Sequence, residues 1–83
     1  MWHVYILECK NGSFYTGITK NLPRRFKEHA SGRGGHFTKS FGAEKIVFSE
    51  QHPDRSSALK RETQIKSWPR KKKLALIIRG KDL

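Results

Sequence analysis

Apolar and polar positions alternate at two different periods along this chain. "WHVYILE", residues 2–8, is rich in β-branched and aromatic residues and predicts a strand. "KNGS", residues 10–13, predicts a hairpin turn, because Asn-Gly tolerates positive φ. "FYTGI", residues 14–18, is the returning strand, and "EKIVFSE", residues 44–50, predicts a third that is central or strongly covered. Helical signals occupy the rest. Asn21 caps a helix reaching Ala30, with Pro23 tolerated in its first turn. Gly32, Gly34 and Gly35 end it and begin a loop to about Ser40. Asp54 caps a second helix to about Ser67, Pro69 stops it, and "RKKKLALIIR", residues 70–79, predicts a third. Strand, strand, helix, strand, helix, helix implies an α+β fold: a small three-stranded antiparallel sheet flanked by helices.

Within these elements some polar residues occupy positions the period reserves for apolar ones. In the first helix Leu22, Phe26 and Ala30 form the apolar stripe, with Arg25 and His29 beside it at i, i+4. In the second, Ala58, Glu62 and Ile65 share one row, so Glu62 faces the core. A dry, unpaired carboxylate costs several kcal/mol, so Glu62 needs a cation, a metal or an opening to solvent. Pairing with Lys66 at i+4 is the simpler arrangement and is left open here.

The hairpin register decides whether Tyr5 and Tyr15 share a face. A two-residue Asn11-Gly12 turn makes paired residue numbers sum to 23 and sends the two phenols to opposite faces. A three-residue Lys10-Asn11-Gly12 loop makes them sum to 22, pairing Tyr5 with Gly17 and Tyr15 with Leu7. Both tyrosines then lie on one face.

Length and charge narrow the function. Eighty-three residues suit a single domain, residues 1–83, with a marginal core. Eighteen Lys and Arg against seven Asp and Glu give a net charge of +11. Such a field attracts polyanions, nucleic acid foremost and an anionic membrane surface second. No run approaches the ~20 apolar residues that span a bilayer. One cysteine, Cys9, forms no internal disulfide and is expected buried in its strand, as suits a cytoplasmic protein without a leader. No Cys/His spacing resembles a zinc site. Trp2, Trp68, Phe14 and Phe41 are expected in the core rather than stacked on bases.

The ordered set of "HVY" (residues 3–5), "YTG" (15–17), Arg25 on the helix opened by "NLPRR", and Glu62 on a later helix resembles the GIY-YIG nuclease superfamily. The tail "LKRETQIKSWPRKKKLALI" is similar to that of its small stand-alone, single-domain bacterial members. Two departures stand out: His3 replaces the glycine of the first tripeptide, and the only asparagines are Asn11 and Asn21, whereas many active members carry a late one. The resemblance implies a GIY-YIG-like α/β sandwich and a divalent-metal-dependent endonuclease hydrolysing phosphodiester bonds, with DNA the expected substrate. It implies Glu62 as ligand to Mg²⁺ or Mn²⁺, Arg25 on the scissile phosphate, Tyr5 or Tyr15 as base, and His29 as proton relay or phosphate contact.

Phenol ionises near pH ~10, so a tyrosine base requires cationic help, which Arg25, Lys20 and Arg24 are expected to supply. Lys20, Arg24, Arg25, His36 and Lys39 are the candidate nucleic-acid contacts. A partner protein supplying target specificity fits a domain this small. A catalytically silent nucleic-acid-binding module on the same fold is the alternative, and an accessory protein of a ribonucleoprotein is a weaker one.

Overall fold

The computed structural model describes residues 1–31 and 42–81. Its elements are β1 (Trp2–Cys9), β2 (Phe14–Thr19), α1 (Leu22–Ala30), β3 (Ala43–His52), α2 (Arg55–Lys66) and α3 (Arg70–Lys81). Each expected element is present, with ends moved by one or two residues. His36, Lys39 and Phe41 lie outside the described residues.

The three strands form one antiparallel sheet in the order β2-β1-β3. The central strand is therefore β1, whose Val4, Tyr5, Ile6 and Leu7 are all essentially inaccessible to solvent. The expectation of a central β3 is corrected: β3 is an edge strand, and most of its residues are exposed or half-buried. Its Ile46-Val47-Phe48 run reads as doubly covered, but a register shift beside Ile6/Leu7 interrupts its alternation.

The hairpin takes the three-residue form. The Cys9 N–H donates to the Ser13 carbonyl at 2.8 Å, and Gly12 adopts φ +87°, open to glycine at no steric cost. Tyr5 pairs with Gly17 and Leu7 with Tyr15, so both tyrosines project from the same face.

Side-chain alternation gives the sheet two apolar faces. Val4 and Ile6 pack with Ala58, Ile65 and Ile77 of α2 and α3, with Trp2, Phe14 and Trp68 half-buried around them. Tyr5 and Leu7 pack with Ala43 and, from α1, Leu22 and Phe26. Hence α1 covers one face and α2 with α3 the other, an α/β sandwich. Local capping fixes the helix starts: Asn21 Oδ1 accepts from the Arg24 N–H at 3.1 Å, and Asp54 Oδ1 from the Ser57 N–H at 2.8 Å. Cys9 is buried as expected. No helix among the described residues is long and apolar enough to cross a membrane.

Candidate functional site

Tyr5 reaches the site from the central strand because its partner on β2 is a glycine. A Cβ on Gly17 would stand 2.6 Å from the Tyr5 hydroxyl and 3.1 Å from Tyr15 Cε1. The bare backbone lets the phenol extend across β2, an edge strand, toward α1. This gives the glycine of "YTG" a steric reason. Gly17→Ala is expected to push the phenol off its partners and to destabilise the fold by about 1–3 kcal/mol. Thermal denaturation checks this: an unchanged Tm would mean that Tyr5 can shift without loss.

At the end of that phenol the helix α1 delivers two partners one turn apart, Arg25 and His29. The Tyr5 hydroxyl lies 2.9 Å from His29 Nε2, and Arg25 Nε donates to the Tyr5 oxygen at 3.4 Å. With Arg25 donating, the network assigns the phenolic proton to His29 Nε2 and leaves the imidazole proton on Nδ1. Tyr15 closes the group. Its ring centroid lies 6.3 Å from that of Tyr5 and 4.9 Å, edge to face, from the His29 ring.

His29 is 1 % exposed, not at the surface or in a cap as a lone helix histidine usually is. The inward face of α1 runs through Leu22, Phe26 and His29, while Ala30, expected in the stripe, is exposed. Substituting i+3 for i+4 at the last step rotates the stripe onto the imidazole.

Electrostatics correct one expectation. Burial pushes Tyr5 up to about 12, and the repulsive charges of Tyr15 and Glu62 add to this. The hydrogen bond and charge of Arg25 pull the other way and lose. Cationic surroundings therefore do not ready Tyr5 as a resting phenolate, because desolvation outweighs them. Burial, then the Arg25 charge, lowers the pKa of His29 below the usual imidazole range, so it is neutral near pH 7. Burial opposes the Arg25 charge too, but hydrogen bonds and charge from Tyr5 and Tyr15 overcome it and raise its pKa.

The remaining candidates lie around this centre. Lys20 and Arg24 are exposed and, with Arg25, Glu28, Thr19 and Trp2, line a cleft of about 330 Å³. Glu28 stands 3.6 Å from Arg25 Nη1 at its rim. Glu62 is on α2, in the layer across the sheet, and registers at Tyr5 through its charge. Its side chain is 17 % exposed and lies 3.7 Å from Lys66 Nζ, so the simple i, i+4 pairing is present and the residue is also half-sheltered, as its row requires. No cluster of three or more His, Cys, Asp or Glu suited to a metal occurs among the described residues. One carboxylate completed by water and substrate phosphate is a normal Mg²⁺ environment, so Glu62 fits such a role.

The geometry now has a lineage. The sequence matches the GIY-YIG catalytic domain over residues 1–75. This chain belongs to the GIY-YIG family. It is 45 % identical over 74 residues to a UPF0213 protein of Xanthomonas axonopodis pv. citri, covering 89 % of this chain and 72 % of that one. It is 42 % identical over 78 residues to a UPF0213 protein of Staphylococcus saprophyticus, covering 94 % and 95 %. The solution NMR structure of a UPF0213 protein from Bacillus halodurans superposes with a TM-score of 0.61 at 41 % identity, over 96 % of this chain and 87 % of the other.

The setting of Glu50 is one that no local pattern in the sequence marks. Its Oε1 accepts from Arg61 Nε at 2.7 Å and lies 3.1 Å from His52 Nε2. The signal was present but non-local, since Glu50 and Arg61 sit on different elements.

Proposed function

We propose that this GIY-YIG protein is an endonuclease that hydrolyses phosphodiester bonds in nucleic acid, DNA foremost, with Mg²⁺ or Mn²⁺ held by Glu62. The observation that supports it best is the Arg25–Tyr5–His29 hydrogen-bond chain, buried at Tyr5 and His29, beside Tyr15. A module that only binds needs exposed cations, and it gains nothing from a buried imidazole held neutral against a phenol.

Hydrolysis breaks a P–O bond as water attacks phosphorus, so a proton must leave the water while charge on the phosphate is countered. Tyr5 with a pKa of about 12 cannot take that proton alone at neutral pH. It can take it while passing its own to His29 Nε2, 2.9 Å away. Arg25 Nε–H steadies the oxygen as charge develops there. The rest of the Arg25 fork, at the cleft shared with Lys20 and Arg24, suits the scissile phosphate. Tyr15, half-buried against His29, orients the reactants. When bound, the metal supplies charge neutralisation and a Lewis acid at the phosphate.

The decisive assay incubates supercoiled, linear and single-stranded DNA, and RNA, with the protein, with and without Mn²⁺. Metal-dependent cleavage is expected. Binding without cleavage of any substrate would return the protein to the silent-module reading.

pH dependence provides a second check. A depressed His29 pKa means stability that is full above the unfolded value of 6.5 and lost as pH falls through the folded one. Proton acceptance fails as pH falls through the folded pKa, below 6.5. Stability is expected to decline below pH 6.5, and cleavage at the lower pH where His29 itself protonates, read by its imidazole NMR shifts. A cleavage rate unchanged after His29 has protonated would remove it from the relay.

A further inference from the structure

Across the sheet from the tyrosines lies a second groove. Two adjoining cavities of about 430 and 380 Å³ share Arg61, Leu76 and Arg79, and together they run between β3, α2 and α3. Phe48 and Trp68 contribute apolar walls. Among the described residues, three cations, Arg61, Lys72 and Arg79, face one carboxylate, Glu50.

That carboxylate is already engaged by Arg61 and His52, so it does little to neutralise Lys72 and Arg79. Arg61 is itself fixed, donating to Gln64 Oε1 at 2.8 Å and lying 5.2 Å from the Trp68 ring centre. Lys72 Nζ stands 4.4 Å over the same ring. Trp68 thus holds two cations in place at low entropic cost. Lys72 and Arg79 are both exposed and stand seven residues apart on one helix. That places them about 10.5 Å apart along the helix axis, so they can meet two different phosphates of one strand.

We infer that this groove is a second nucleic-acid contact surface, in which Lys72, Arg79 and Arg61 engage phosphates of one strand while Trp68 positions Lys72 and Arg61. This rests on the nucleic-acid reading proposed above and extends it to a two-faced protein. One polynucleotide long enough to pass round the sheet edge, or two short ones, would occupy both faces.

The test measures affinity of a labelled single-stranded DNA of about 16 nucleotides against salt concentration. Lys72→Gln/Arg79→Gln removes two exposed cations and tests the groove. Lys27→Gln/Lys60→Gln removes two exposed cations that do not line it, at equal net charge. The groove pair is expected to bind about tenfold more weakly, with a log–log salt slope shallower by about 1.4, and the control pair less than threefold more weakly. In a Trp2→Phe background Trp68 is the sole tryptophan, and its fluorescence is expected to change on adding the DNA. Equal losses from both pairs would assign binding to the general field and overturn the groove. So would unaltered affinity in the groove pair, or a Trp68 response confined to anionic phosphatidylserine vesicles. Wild-type protein without salt-dependent DNA or RNA binding would instead overturn the underlying nucleic-acid reading, a result distinct from the others.

Discussion

Arg25→Ala is expected to lower phosphodiester cleavage by about 10³-fold or more while weakening nucleic-acid binding by no more than about tenfold. The asymmetry follows from what the guanidinium touches. For bulk binding it is one of eighteen Lys and Arg, so its loss should flatten the salt slope by only about 1. In the proposed mechanism it does two things at once. Its fork faces the cleft where the phosphate would sit, and its Nε donates to the Tyr5 oxygen. Removing it takes away a pull that lowers the Tyr5 pKa, so the phenol becomes harder still to ionise. Arg25→Lys restores the charge without the planar fork and is expected to recover binding but little of the rate. Single-turnover cleavage beside equilibrium binding separates the effects, and parallel losses in both would reduce Arg25 to one phosphate contact among many.

Legibility in the sequence tracked the range of the interaction concerned. Helix starts at Asn21 and Asp54 were readable because a cap joins a side chain to a backbone N–H three residues away. The hairpin was readable as a hairpin, but Asn-Gly serves two loop lengths, and only pairing across the strands selects the register that unites the tyrosines. Burial was less legible. The apolar run of β3 suggested a central strand, yet order in a sheet depends on which partners reach both sides, and β1 has them. His29 was placed beside the apolar stripe because a nine-residue helix leaves the period loosely determined.

The Tyr5 pKa was misjudged in sign for a related reason. Net charge is a property of composition, whereas desolvation is a property of position, and at a phenol 1 % exposed the second is larger. The groove around Trp68 was illegible altogether, since it joins β3, α2 and α3 and no local pattern marks it.

Glu62→Gln is expected to abolish metal-dependent cleavage with the fold intact. It is one of seven carboxylates; of its five rivals among the described residues, four are tied to a helix cap or a cation and the fifth, Glu44, is exposed on β3. Asp54 caps α2, Glu50 is tied to Arg61, Glu8 lies 3.9 Å from Lys45, and Glu28 stands at the rim beside Arg25. The structural cost is small. Gln keeps the shape and gives up the Lys66 pairing, an i, i+4 contact worth about 0.5 kcal/mol or less.

A second effect has the opposite sign and makes the test sharper. The Glu62 charge raises the Tyr5 pKa, so neutralising it should make Tyr5 slightly easier to ionise. If Glu62 acted only through that field, Glu62→Gln would cleave as well as the wild type or better. A loss of about 10³-fold despite the easier phenol is what a metal ligand requires. With a single protein carboxylate, Mn²⁺ affinity without nucleic acid should be weak, and titration with the oligonucleotide present should show tighter binding that the variant lacks. Retained cleavage in Glu62→Gln at saturating Mn²⁺ would move the metal to another group.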